Sequence, residues 1–381
     1  MRKSFLLWTL TLFIAVGFLS CKGKGNGNEV KLEAVDSVME VKYAHGFEVS
    51  YHHSYKRVVV YDQLTEKGTP FVYYLVDNAD TKTPSDGTKI VAPIQSIGIS
   101  SCTHVGELEF LGLTDKVSCL CNPEYIFHEQ MRKAAEEGRV INLGDATNVN
   151  IEILLSAKPD VMMTSIYNMQ DENIQHLFKV GIPLLVNNEW MEQDPLGRAE
   201  WVKLIATFFN EEQHASTLFN TMESDYLNTK EIVTEMGHKP TIMLGNNYKG
   251  TWYMPSGQNY MAKLMIDAGA DYFYANDSTT GSLPLSFETV LQKFKHVDVW
   301  MNAPVATLKE LTEMDDRHKL FDPLKNGEVY SFMGRVLPNS MANDFWESGV
   351  VHPELLLKDI VWAFHPEIVP NHTPQYIIKL K

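Results

Sequence analysis

Beyond residue 88, short apolar runs alternate with stretches in which apolar residues recur at helical spacing. Strands separated by helices predict parallel sheets covered on both faces, with a ligand cleft at the carboxyl ends of the strands. Predicted strands are 90–100, 117–121, 160–165, 183–188, 241–245, 297–302 and 329–333. Predicted helices are 105–113, 123–138, 150–158, 171–181, 260–268, 286–295, one within 308–324, and 351–364.

One much longer helix is predicted midway along the chain. Asp194-Pro195 opens a first helix with a capping residue and a proline in its first turn. Asn210 ends it, and residues 211–236 then contain no Gly or Pro, enough for a helix of about 39 Å. The strand–helix rhythm restarts after Gly237. The pattern therefore predicts an α/β lobe at 88–209, a bridging helix at 210–236 and a second α/β lobe at 237–381.

The region before the first lobe has a different pattern. Residues 41–87 alternate in places between apolar and polar positions, which predicts a small antiparallel β extension. Its Tyr51–Tyr55 stretch contains two histidines, but neighbouring residues of a strand face opposite sides, so a surface strand is the better interpretation.

The N-terminus reads as an export signal. Arg2 and Lys3 precede an apolar run from Phe5 to Leu19, and Ser20-Cys21 follows. This order is typical of a secretory signal peptide, predicted at 1–20. Residues 21–40 begin with a Gly-rich stretch and are predicted to form a flexible tether.

Composition excludes some functions. The formal net charge of −15 disfavours binding to nucleic acid. The sequence contains no GxSxG elbow, P-loop, dinucleotide fingerprint or HExxH motif, so we predict a binding protein and no enzyme. After export, Cys102, Cys119 and Cys121 would lie in a compartment that permits disulfides, with one pair and a free thiol, or three buried thiols, as alternatives.

Four stretches together carry a family resemblance, and they are 96–113, 144–161, 195–210 and 350–366. In their order and spacing the chain resembles the iron-complex and vitamin B12 class of ABC-importer substrate-binding proteins, over roughly residues 88–381. The resemblance implies a class III-type periplasmic fold, an ABC permease dimer as partner, a monomer, and no covalent cofactor. Phe18 to Cys21 likewise resembles a bacterial lipobox, which implies lipidation of Cys21 and anchoring in the periplasm.

The resemblance also assigns two glutamates to permease docking. Glu152 and Glu288 match acidic residues that, in the family, bind arginines of the permease, one in each lobe. One exposed carboxylate per lobe would provide two charged contacts that fix the orientation of the protein on the permease. The alternative is that each is an ordinary acidic residue favoured by the helix dipole in a first turn.

Ligand contacts are expected in loops that follow strands. Aromatic residues there would stack on a flat macrocycle or on catecholate rings, and Arg335 would pair with an anionic group. His104 is a candidate iron or cobalt ligand, with capping or solvation as the alternative, and core packing is the alternative for each aromatic residue. The ligand-binding candidates are Cys102, Thr103, His104, Asp145, Tyr167, Asn168, Trp190, Tyr248, Trp252, Tyr253, Arg335 and Trp346.

The expected ligand is an iron complex, either a ferric siderophore or haem, with cobalamin as the second choice. Two rival hypotheses belong to other classes. One is a metal-dependent hydrolase or redox enzyme that uses the loop of Cys102 and His104. The other is a structural or sensory lipoprotein without a ligand.

Overall fold

A computed structural model describes residues 30–62, 64, 68–338 and 340–381. The predicted signal peptide, Cys21 and most of the predicted tether lie outside these residues. In the part of the chain that is described, no helix is both long and apolar enough to cross a membrane.

The N-terminal extension, residues 30–91, forms a sheet of five strands in the order β1-β2-β3-β4-β5. Neighbouring strands are antiparallel except β4 and β5, which are parallel. Phe47 and Val58 point into the core that the extension shares with the first lobe. The strands are β1 Val35–Val38, β2 Phe47–His52, β3 Lys56–Val60, β4 Phe71–Val76 and β5 Thr88–Val91.

Two predictions about this region are wrong. The tether does not extend to residue 40, because β1 already pairs with β2 from Val35. The predicted strand 90–100 is two strands, since Pro93 has no N–H to donate and interrupts the ladder. Its first half, β5, belongs to the extension, and its second half is the central strand of the first lobe.

The first lobe has a five-stranded sheet in the order β10-β9-β6-β7-β8, parallel throughout. The strands are β6 Ile97–Ile99, β7 Val117–Leu120, β8 Ile141–Asn142, β9 Val161–Thr164 and β10 Leu184–Val186. The helices are α1 Cys102–Phe110, α2 Glu129–Glu136, α3 Ile151–Ala157 and α4 Glu172–Leu177. The predicted helix 123–138 is shorter, because only a 3-10 turn forms at Pro123–Tyr125.

Three helices connect the lobes: α5 Pro195–Glu200, α6 Val202–Phe209 and α7 Glu212–Thr234. Asp194 caps α5 as predicted, and Asn210 ends α6 in the left-handed conformation. The bridging helix α7 has 23 residues. Its Ala215 packs in the core of the first lobe, whereas Phe219 packs in the core of the second. The helix thus passes from one lobe to the other within its second turn.

The second lobe contains a parallel sheet in the order β14-β11-β16 and a separate antiparallel sheet in the order β12-β13-β15. The antiparallel sheet was not predicted. The strands are β11 Thr241–Leu244, β12 Asn247–Tyr248, β13 Thr251–Pro255, β14 Asp271–Tyr272, β15 Ser282–Leu285, β16 Val299–Met301, β17 Tyr330–Ser331 and β18 Ile378–Lys379. The helices are α8 Tyr260–Asp267, α9 Phe287–Phe294, α10 Leu308–Met314, α11 Asp322–Asn326 and α12 Pro353–Phe364.

Candidate ligand-binding cleft

The carboxyl ends of β6 and β9 open into a cavity of about 260 Å³ in the first lobe. Parallel strands place their following loops at one edge of a sheet, so residues distant in sequence meet here. Asp171 is the only charged side chain in the lining, and both of its bonds go to the first turn of α4, which it caps. The lining is Ser100, Ser101, Ala146, Thr147, Thr164, Ser165, Tyr167, Asn168, Asp171, Asn173 and Ile174.

Two aromatic residues predicted to contact ligand stand at this edge. The rings of Tyr167 and Trp190 stack with centroids 4.8 Å apart and an interplanar angle of 29°. Tyr167 is 69% exposed, so most of its ring is free to receive a partner. The buried Nε1 of Trp190 has no hydrogen-bond partner among the described residues. The exposed face of the Tyr167 ring suits stacking on a large ligand with a planar surface.

The second lobe approaches the same edge through Trp346. The Cys102 thiol lies 3.7 Å from the Trp346 carbonyl oxygen, and the Trp346 side chain is 47% exposed. Ser101 caps α1 through Thr103, whose backbone N–H donates to the Ser101 hydroxyl at 3.2 Å. The structure therefore brings Cys102 against the backbone of Trp346, just after Ser100 and Ser101, which line the first-lobe cavity.

His104 is not a ligand contact, contrary to the prediction. Helix α1 begins at Cys102, so His104 lies in its first turn, where the side chain is fully buried. Its Nε2 lies 3.3 Å from the Ser165 hydroxyl. Burial lowers the pKa of His104 to about 3, so the ring is neutral. The absence of any exposed surface keeps this ring from contacting a ligand in the cleft.

Trp252 is also wrongly predicted. It is fully buried against Trp300, Phe287 and Phe321, and its indole N–H donates to the Leu244 carbonyl at 2.8 Å. Because side chains alternate along β13, Trp252 points inward and the adjacent Tyr253 points outward.

The two tyrosines of this sheet remain accessible. Tyr253 is 48% exposed and Tyr248 is 58% exposed, with the Lys249 ammonium 5.2 Å from the Tyr248 ring centroid. Asp145 lies beside the first-lobe cavity, next to Thr147, whose hydroxyl donates to its carboxylate at 2.7 Å. This hydrogen bond is the main cause of the lowered pKa of Asp145.

Arg335 lies at a different place from the other candidates. Its Nε is 2.9 Å from Asp344 Oδ2, and its guanidinium carbon is 5.1 Å from the Phe127 ring centroid. It lines a wide groove of about 980 Å³ between α1, α2 and the second lobe. Its charge is neutralised by Asp344, so an anionic ligand group would have to compete with an existing ion pair.

A carboxylate of the second lobe, Glu347, holds the two lobes together beside this groove. Its two oxygens accept the backbone N–H groups of Phe127 and His128, each at 2.7 Å. Burial outweighs these bonds and raises the pKa of Glu347 to about 8. Gly106 of α1 faces the Glu347 carbonyl so closely that an added Cβ would lie 2.2 Å from it. No periodic pattern of apolar residues marks this contact between the lobes, because Glu347 lies in an irregular segment.

A buried polar network lies beneath the cleft, between α1 and α5. Arg198 and Glu189 form a buried salt bridge at 3.0 Å. Glu107 is fully buried nearby, and burial, reinforced by the charge of Glu189, raises its pKa. The Arg198 guanidinium also lies 4.3 Å from the ring centroid of Tyr260 in the second lobe. This network was not predicted as a whole.

The described cysteines are three free thiols. Cys119 and Cys121 are buried and Cys102 is half-buried. Burial raises the pKa of Cys119 to about 11 and those of Cys102 and Cys121 to about 12. Within the described residues, no three His, Cys, Asp or Glu side chains are grouped so as to hold a metal ion. The metal ligands that the rival Cys102–His104 enzyme hypothesis requires are therefore not brought together in this part of the chain.

The two candidate docking residues occupy equivalent local positions. Glu152 is exposed in the first turn of α3, which Asn150 caps. Glu288 is exposed in the first turn of α9, which Ser286 caps. Both carboxylates are thus accessible to a partner, and both also satisfy the simpler explanation of a favourable helix dipole.

Two α/β lobes connected through α5, α6 and the long bridging helix α7 form the architecture of class III solute-binding proteins. The family profile described as periplasmic binding protein matches residues 111–331, more than half of the 381 residues. The chain therefore belongs to the periplasmic binding proteins, and the predicted family and fold class are confirmed.

The chain is 25% identical to an uncharacterised lipoprotein of Methanocaldococcus jannaschii over 80% of this chain and 75% of that one. It is similar in structure to Helicobacter pylori CeuE with Ni(II) bound, with a TM-score of 0.57, 16% identity, and coverage of 74% of this chain and 88% of that one. It is also similar to the vitamin B12-binding protein BtuF of Vibrio cholerae, with a TM-score of 0.52, 12% identity, and coverage of 74% and 99%. At these identities the two structures establish the fold alone.

Proposed function

We propose that this protein is the extracytoplasmic, lipid-anchored binding component of an ABC importer, and that it captures a bulky metal complex between its lobes. The observation that carries the proposal is the Tyr167–Trp190 stack, whose exposed Tyr167 ring stands at the strand ends of the first lobe, where Cys102 meets the Trp346 carbonyl oxygen of the second lobe. An exposed aromatic face where the two lobes meet suits a large, partly planar ligand. Anchoring rests on the lipobox at Cys21 and on the lipoprotein name of a relative.

An iron complex is our first choice of ligand, following the class that the sequence resembles. One observation favours cobalamin as a second candidate. The cavity beneath the stack is lined by hydroxyl and amide side chains, with a carboxylate as its only charged group. An anionic ferric siderophore would prefer cations there, whereas a corrinoid presents neutral amides that pair well with such a lining.

Delivery requires a membrane partner, and we propose that Glu152 and Glu288 dock on the permease dimer. Charge reversal of both, Glu152→Arg with Glu288→Arg, should abolish uptake of a radiolabelled ligand by host cells. Ligand affinity of the purified variant should stay unchanged, because both carboxylates lie in exposed first turns outside the cavity lining.

A matched control is available for this experiment. Glu172 in the first turn of α4 and Glu313 in α10 are also exposed helical glutamates, one in each lobe, and their joint reversal should leave uptake intact. If Glu152→Arg with Glu288→Arg transports normally, the docking assignment is wrong. If it loses ligand affinity, the two residues belong to the binding site instead.

A further inference from the structure

The N-terminal extension lies outside the matched family region, yet it is bonded to the helices that connect the lobes. We call residues 39–46, between β1 and β2, the strap. The Glu200 carboxylate of α5 accepts the backbone N–H groups of Lys42, Tyr43 and Ala44 at 3.0, 2.7 and 3.0 Å. Glu200 is fully buried, so three aligned donors are needed to offset its desolvation.

A second buried carboxylate holds the other end of the strap. Glu192 accepts the backbone N–H groups of His45 and Gly46 at 2.9 and 2.8 Å. Both carboxylates also bond to the helices themselves. Glu192 accepts from the Trp201 indole at 2.9 Å, and Glu200 accepts from the Lys203 ammonium at 2.7 Å. The strap is therefore fixed firmly to the first half of the connection between the lobes.

The strap also bonds to the bridging helix. The Tyr43 hydroxyl donates to Glu223 Oε1 at 2.7 Å, and the Lys42 ammonium donates to Glu223 Oε2 at 2.8 Å. The Tyr43 ring centroid lies 6.2 Å from that of Phe219, which belongs to the core of the second lobe. These contacts lie on the part of α7 that packs with the second lobe.

A further contact holds α7 on the side of the first lobe. Lys56 of β3 forms an ion pair with Glu212 and donates to Asn210 Oδ1 at 2.7 Å. Helix α7 passes between the lobes from Ala215 to Phe219, which is between Glu212 and Glu223. These two glutamates are about 16 Å apart along the helix. The extension thus contacts α7 on both sides of the segment in which the helix passes from the first lobe to the second.

We propose that the N-terminal extension acts as a splint for the bridging helix, by which we mean that its contacts resist bending of α7 between the lobes. The strap thereby fixes the angle between the two lobes. Bending α7 between the lobes would pull Glu223 away from Lys42 and Tyr43 while Glu212 stayed with Lys56. The splint goes beyond the proposed function, because it concerns the lobe angle of the free protein and not the ligand.

The test measures the distance between lobes in the ligand-free, full-length chain by double electron–electron resonance. Genetically encoded spin labels at exposed positions 155 in α3 and 309 in α10 report on the two lobes. The double variant Tyr43→Phe with Glu223→Gln removes the Tyr43 hydroxyl bond to α7 and the charge that pairs with Lys42. We expect about a tenfold larger population of altered distances, as expected for loss of a hydrogen bond to a charged group.

The double variant Tyr330→Phe with Glu328→Gln is the matched control, because the Glu328 carboxylate likewise accepts from a tyrosine hydroxyl and a lysine ammonium, those of Tyr330 and Lys379. All three residues lie in the second lobe. An unchanged distance distribution in Tyr43→Phe with Glu223→Gln would overturn the splint, and so would equal broadening in the control variant. Tyr43→Phe alone, the mildest change, should show a smaller shift in the same direction if the double variant folds poorly.

Discussion

The two lobes present their aromatic side chains to the cleft in different ways. In the first lobe a purely parallel sheet delivers Tyr167 and Trp190 directly after strand ends, and Tyr167 is largely exposed. In the second lobe an antiparallel sheet follows β11, and strand alternation buries Trp252 while exposing Tyr253. Position after a strand therefore places Tyr167 and Trp190 at the strand ends of the first lobe but fails for the buried His104, and the second lobe also requires the strand register.

The largest expected effect is a difference in stability between substitutions at two neighbouring residues of β13. Trp252→Ala should lower the free energy of unfolding by about 3–5 kcal/mol, because it empties a fully buried site among three aromatic rings. Tyr253→Ala should change it by less than about 1 kcal/mol, since that side chain is half exposed. Urea denaturation measures both. If the Trp252→Ala protein is stable but fails to bind ligand, Trp252 is a ligand-binding residue as first predicted.

A second effect tests the buried histidine of the first lobe. The folded pKa of His104, about 3, is below its ordinary value of 6.5, so the unfolded chain binds the proton more readily. Stability should be complete above about pH 6.5 and fall by about 2 kcal/mol on acidification to pH 5. His104→Gln should reduce this pH dependence in denaturation experiments, whereas His214→Gln, at an exposed position of α7, should not. Equal pH dependence in all three proteins would mean that His104 is solvated.

A smaller effect is expected for the aromatic stack. Tyr167→Ala should weaken ligand binding by about tenfold, the value of one good aromatic contact, with little change in stability. Tyr61→Ala, which removes an exposed tyrosine of the extension, should leave affinity unchanged. Calorimetric titration compares the two. If Tyr61→Ala weakens binding as much as Tyr167→Ala does, the stack is not the ligand platform.

Much of the architecture was predictable because periodicity reports on burial. The bridging helix, predicted at 211–236, is observed at Glu212–Thr234, since an unbroken apolar stripe without Gly or Pro permits little else. Strand 90–100 was wrong because an apolar run does not show which sheet each half will join. Glu347, Glu200 and Glu192 were missed for a related reason. A buried carboxylate looks like a surface residue in sequence until its backbone N–H donors are known.

The central claim is that the cleft binds a metal complex, and its most direct test is a titration of the purified protein followed by tryptophan fluorescence. Trp190 stacks on Tyr167, which lines the first-lobe cavity, so haem, a ferric siderophore or cobalamin bound there should quench its emission. We expect saturable quenching by one of these ligands, with about tenfold weaker binding in Tyr167→Ala. The absence of quenching by haem, a panel of ferric siderophores and cobalamin would contradict the account.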